Sequence, residues 1–145
     1  MAHDTPSRRE LARQFIEALP HCKALGMTVK DVGDGVATMS MPYSEKLIGD
    51  PLTGVIHGGA VSALMDTCGG TAVMAHPTGP ATTATLDMRI DYMRAATPMQ
   101  TITTTAICYH MTRSVAFVRA TAHDGDPDDP VATATGAFTV TGLTK

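Results

Sequence analysis

An α+β fold, with an antiparallel sheet packed on one long helix, is what this chain predicts, and three observations predict it. Two short strand-like runs come first, one long apolar helix pattern follows, and four Thr- and Ala-rich strand-like runs complete the chain. Strands and helices do not alternate as they would in a parallel βαβ sheet, so neighbouring strands are expected to pair through short turns. No internal repeat or heptad pattern divides the sequence. Its 145 residues suit one domain, and a chain of that size buries roughly 70% of its unfolded surface without needing disulfides or metal.

The first element is an amphipathic helix from Pro6 to Leu19, where Leu11, Phe15, Ile16 and Leu19 recur at helical spacing and Pro20 is expected to stop it. Residues 1–22 are read as an N-terminal helical segment and 23–145 as the main domain. Met27 to Lys30 and Val36 to Met41 form a hairpin around Asp31-Val-Gly-Asp-Gly35, and a loop with Gly49, Pro51 and Gly54 then runs to Ile56. The long helix is expected from about Gly58 to His76, closed by Pro77-Thr-Gly-Pro80. In the strand 85–94, Leu86, Met88, Ile90 and Tyr92 alternate with Asp87, Arg89 and Asp91, which assigns the two sets to opposite faces. Strands over 101–110, 114–123 and 131–141 follow, the last two joined through the acidic turn 124–130.

Composition narrows the function. The formal net charge is −3, no dense basic run occurs and Trp is absent, so a nucleic-acid surface has little to be built from. No window approaches the ~18 apolar residues of a membrane span, and the polar stretch from Met1 to Gln14 does not read as a signal peptide. Cys22, Cys68 and Cys108 form neither a CxxC pair nor a cluster, which suits reduced thiols in the cytoplasm. His76, His110 and His123 lack ligand spacing, and the acidic run 126–129 lacks a calcium-loop pattern, so no metal and no cofactor is expected.

The chemistry concentrates in the long helix. Between Asp50 and Asp87 the only charged side chain is Asp66, set among Gly, Ala, Val, Leu, Met, Thr and Cys. A carboxylate kept in apolar surroundings is a candidate for chemistry. The helix opens on His57-Gly58-Gly59, and the free N–H groups of a helix start can hold an anion or a developing oxyanion. Asp66 follows Gly58 by eight positions, a little over two turns, so the two share roughly one face and are expected to border one cleft. Gly69 and Gly70 inside the helix signal close approach by a backbone or a ligand, and a helix so apolar all round suggests that subunits pair about it.

The pattern Gly54-x-x-His57-Gly58-Gly59, then Leu64-x-Asp66, and the later Thr85-Leu-Asp87-Met-Arg-Ile-Asp-Tyr92-Met-Arg94, resembles the hot-dog-fold acyl-CoA thioesterases, in particular the PaaI-like, phenylacetate-degradation type, from about residue 24 to the end. The resemblance implies a sheet wrapped around one central helix, an acyl-CoA substrate, and a homodimer or homotetramer with sites between subunits. It makes Asp66 the general base or nucleophile, the Gly58 amide the oxyanion donor, His57 a catalytic-site group that shapes the turn and helps orient the water or carbonyl, and Thr85 an assistant to the water from the facing subunit. Gly59 belongs to the same substrate-binding turn. Arg94, Arg113 and Ser114 fall where relatives contact the CoA phosphates. Some relatives carry Asn six residues before the histidine; here that position is Pro51, with Asp50 beside it as a candidate substitute. A non-catalytic acyl-CoA-binding module on the same fold is the alternative. A hot-dog hydratase or dehydratase is the other rival, and the motifs around its acid–base pair do not match.

Overall fold

The computed structural model describes residues 6–143. Helix α1 (Arg8–Ala18) starts at a capping box, in which the Ser7 hydroxyl accepts from the Glu10 amide while the Glu10 carboxylate accepts from the Ser7 amide. Pro20 does not simply end the helical segment. Leu19 is extended, and Pro20 begins a second helix, α2 (Pro20–Leu25), where its missing N–H is no loss. The hairpin β1 (Thr28–Gly33) and β2 (Val36–Met41) follows as expected. The loop beyond it contains a 3₁₀ turn (Glu45–Leu47) and a small ladder of β3 (Ile48–Asp50) with β4 (Val55–Ile56). Then come α3 (Gly58–Met74), β5 (Thr82–Tyr92), β6 (Ile102–Met111), β7 (Val115–His123) and β8 (Ala132–Thr141).

Six strands form one antiparallel sheet in the order β1-β2-β6-β7-β8-β5, so β5 lies at an edge. The inner face carries mostly small residues, among them Ala37, Ala106, Ala116, Ala120, Ala122 and Ala134, all buried. Small side chains let the sheet curl closely around α3, which touches every large-sheet strand. Most of α3 is consequently buried, from Ala60 and Val61 to Ala72 and Val73. The stripe left partly open holds Ser62, Ala63, Asp66, Thr67, Gly70 and Met74, and Asp66 is its single charge.

Phe138 of β8 fills the space beneath the helix at 1% exposure. A Cβ on Gly69 would stand 2.9 Å from its Cζ, so the two helix glycines play different parts: Gly69 makes room for a ring, and Gly70 opens outward. Opposite the start of the outer strand, Thr85 pairs with Phe138, but Asp87 pairs with Ala137, leaving Leu86 as an extra, bulged residue. The strand's alternation therefore breaks: Met88, paired with buried Gly136, faces the helix, while Leu86 is 58% exposed rather than sharing that face.

Replacing Gly69 by Ala sets a helix-propensity gain of about 1 kcal/mol against an overpacking cost of about 1–3 kcal/mol. Because the obstacle is a buried ring, G69A is expected to lower stability by about 1 kcal/mol in urea denaturation. Adding Phe138→Leu should return part of the loss, as it would not for two independent sites.

Candidate active site

The start of α3 is held from three sides. The His57 amide donates to the Leu47 carbonyl at 2.7 Å, its Nδ1 accepts from the Gly59 amide at 2.8 Å, and its carbonyl accepts from the Ala60 amide at 3.0 Å. In a trans peptide the carbonyl and the following N–H point opposite ways. With the His57 carbonyl turned into the helix, the Gly58 N–H faces out, and it has no acceptor among the described residues. Tyr92, on β5, braces this turn: its hydroxyl donates to the Gly58 carbonyl at 2.7 Å and also meets the Ser62 hydroxyl. In the sequence, Tyr92 stands out only through the strand alternation and the motif that ends at Arg94. Its match to Ser62 needed the register of α3 against β5.

Two turns further along α3, Asp66 accepts a hydrogen bond from the Thr85 hydroxyl at 2.7 Å. Both residues belong to the same chain, whereas the resemblance implied Thr85 from a facing subunit. The bulge at Leu86 explains how: it carries Thr85 onto the helix side, where strict alternation would have set it on the outer face with Asp87. Asp66 and Thr85 lie on a groove of about 410 Å³ between α1, α3 and β5, whose other walls include Phe15, Leu19, Gly70 and Phe138. No Lys, Arg or His lines it.

Gly58 opens elsewhere. It lines a separate recess of about 250 Å³ with Tyr92, Arg94 and Val131. Eight residues of helix separate Gly58 from Asp66 by about 12 Å along the axis, so one chain does not bring them to a common cleft as the spacing had suggested. Within one chain the two groups share a face of the helix but not a recess.

The remaining candidates divide. Arg94 grips Asp124 through both carboxylate oxygens, at 2.6 and 3.0 Å, and also bonds the Asp129 carbonyl. Asp124 in turn accepts from the Thr97 amide at 2.7 Å. This is a clamp that ties the acidic β7–β8 turn to the end of β5, not a free cation awaiting phosphate. Asp50 is committed to its own turn, accepting from the Leu52 amide at 3.0 Å and the Thr53 hydroxyl at 2.7 Å. The Thr53 bond chiefly holds its carboxyl below the usual range. Arg113 and Ser114 sit exposed in the β6–β7 turn. The three cysteines are buried, and burial pushes the Cys68 thiol up to about 12. Among the described residues no cluster of His, Cys, Asp and Glu is placed to hold a metal, and no helix is long and apolar enough to cross a membrane.

A sheet curled around one central helix, with the helix start and a helix carboxylate both opening on its exposed side, is the hot-dog thioesterase fold. The chain belongs to the thioesterase superfamily, whose sequence profile matches residues 53–131. A solved Pseudomonas aeruginosa protein is 42% identical, with 88% of this chain and 95% of that one covered and a TM-score of 0.78. A candidate esterase of Halobacterium salinarum is 34% identical over 96 residues, and the match spans 64% of each chain, a little under two thirds of that relative's length. Two more distant structures share the fold: Escherichia coli PaaI from the phenylacetic acid degradation operon (22% identity, covering 92% of each chain, TM-score 0.79), and a hypothetical thioesterase of Streptococcus pneumoniae solved with coenzyme A (21%, covering 82% of this chain and 88% of that one, TM-score 0.71).

The Arg94 guanidinium holds the Asp124 carboxyl well below its ordinary 3.8. A depressed carboxyl stabilises the folded state fully above its unfolded value, and that contribution is lost as pH falls through the folded one. Asp124→Asn should therefore lower the urea midpoint at pH 7, and the gap to the parent protein should narrow as pH drops from about 5 toward 3.

Proposed function

We propose that this protein is an acyl-CoA thioesterase, hydrolysing the thioester to a carboxylic acid and free CoA. The observation that carries the reading is the Asp66–Thr85 pair at the wall of a groove with no cationic side chain. Thr85 occupies one carboxylate oxygen and fixes its orientation; the other oxygen remains to take a proton from water or to attack the thioester carbon itself. Either route creates negative charge on the carbonyl oxygen, and an outward-facing amide at a helix start is suited to receive it.

Within one chain that amide lies about 12 Å too far along the helix to serve Asp66. Two copies related by a two-fold axis, with their α3 helices antiparallel, remove the mismatch, because Gly58 of each then faces Asp66 of the other. The nearly uncharged open stripe of α3 and the unpaired side of β5 support such a pairing. The site so assembled takes Asp66 and Thr85 from one subunit and Gly58, shaped by His57 and Gly59, from the other. A dimer of such dimers is the corresponding tetramer. The coenzyme A in the S. pneumoniae neighbour supports the choice of thioester. Arg113 and Ser114 offer an exposed cation and hydroxyl for its phosphates, a part that Arg94, engaged by Asp124, is poorly free to play.

Asp66→Asn keeps an acceptor for Thr85 and should fold and bind acyl-CoA, yet lower kcat by at least ~10²-fold. Gly58→Pro removes the amide proton at a position where proline suits a helix start, and His57 already has the extended backbone (φ −58°, ψ 133°) that precedes proline. It should cost about 10²–10³ in kcat. Co-expressed in equal amounts, the two inactive variants should recover about a quarter of the native sites, since half the dimers are mixed and each mixed dimer holds one intact site. Undiminished turnover by Asp66→Asn would remove the assignment, and failure of the mixture to recover would remove the two-chain site.

A further inference from the structure

We infer that helix α1 of the same chain roofs the acyl groove, and that Gly70 and Met74 beneath it set the length of a neutral, apolar acyl tail. The inference rests on the thioesterase reading and adds to it where the tail goes. Asp66, Gly70 and Met74 follow one another at intervals of four on α3 and all three line the groove, so they form a track about 12 Å long that leads away from the carboxylate. Across from them stand Phe15 and Ile16 of α1 and Leu19 just past its end. The α1–α2 segment runs antiparallel to α3: Ala12 shares a cleft with Ala75, while Cys22 reaches Thr67.

This roof is fixed rather than loosely attached. Arg9 donates to the Val32 carbonyl at 2.7 Å and pairs with Asp31 at 2.8 Å near the start of α1. Near its end, Glu17 accepts from the Val29 amide at 3.1 Å. Phe15 is nonetheless 66% exposed, an apolar ring left at the rim of a groove that a bound tail would help to cover.

The walls define what fits. The only charge is Asp66 itself, which repels a second carboxylate, so dicarboxylic acyl groups are disfavoured. The lining hydroxyls are largely spent inside the protein: Thr71 donates to the Thr67 carbonyl at 2.7 Å, Thr82 meets Thr141, and Thr85 serves Asp66. Thr83 alone among them holds a buried hydroxyl without a partner among the described residues. With C–C bonds of about 1.5 Å in a zigzag, a track of about 12 Å takes a chain of roughly eight to ten carbons. Gly70, lacking a side chain, leaves the middle of the track open. A Cβ there would stand 3.7 Å from Phe138, an ordinary contact, so a larger residue fits the fold but narrows the track.

The test is kcat/KM across saturated acyl-CoAs from two to sixteen carbons, with adipoyl-CoA as the charged-tail control. The native protein should favour eight to ten carbons and discriminate against adipoyl-CoA relative to hexanoyl-CoA by at least about 10-fold. Gly70→Val should lower the octanoyl-to-acetyl ratio by about 10-fold or more. Phe15→Ala, which opens the roof, should raise the dodecanoyl-to-octanoyl ratio by about 5-fold, a gain that partial unfolding does not produce. Hydrolysis with a flat length profile, or variants that change all lengths equally, would overturn the groove assignment and leave the thioesterase reading standing. No hydrolysis of any member of the series would overturn both.

Discussion

One extra residue in an edge strand governs what the helix carboxylate can touch. Leu86 bulges out of β5, and through it Thr83 and Thr85 face the helix together with Met88 and Ile90. Without the bulge, Thr85 would look outward and Asp66 would lose its hydrogen-bond donor. The opposite strand has prepared the place. Gly136 of β8 faces the bulged segment, where a Cβ would stand 3.0 Å from the Asp87 carbonyl, so the strand that accommodates the bulge lacks a side chain there. Bulges next to functional clefts commonly re-aim a side chain in this way.

The same economy of volume explains the helix. An alanine-rich inner face lets α3 sit deep in the sheet, and Phe138 rather than an aliphatic chain fills the gap that Gly69 leaves. Deep seating buries most of the helix circumference and leaves one narrow, nearly neutral stripe. Asp66 is tolerated on that stripe because it stays partly open and has a hydroxyl partner; fully enclosed and unpaired, it would be costly to keep ionised. Geometry then imposes a division of labour. The outward amide and the carboxylate lie on one rod too far apart to meet, and the proposed two-fold pairing is what would bring them together.

Much of this was legible in the residues. Element order, the long helix and its start, and the isolation of Asp66 follow from periodicity, glycine placement and the distribution of charge. The features that escaped share a physical cause: they depend on contacts between distant segments. The apolar alternation runs through Leu86 without interruption, so nothing local announces the bulge. Arg94 falls near CoA phosphates only through the family resemblance; its ion-pair partner Asp124 lies thirty residues on, in a turn that the sequence alone reads as solvated. Pro20 reads in sequence as a stop, although proline is equally at home opening a helix, and only the extended Leu19 decides between the two. The apolar face of α1 was evident, but the groove it covers is formed by β5 and α3, far along the chain.

The three cysteines add a last consequence. A protein that holds activated acyl groups runs the hazard of acylating itself, because a thiolate near a thioester exchanges with it readily. Cys22, Cys68 and Cys108 are each buried, and burial raises all three thiols above their ordinary value of 9.0. Even Cys22, which reaches the groove wall at Thr67, is 1% exposed. The fold thus keeps its three thiols protonated and out of reach, and under the proposed thioesterase function the groove would receive a reactive ester without a cysteine becoming its acceptor.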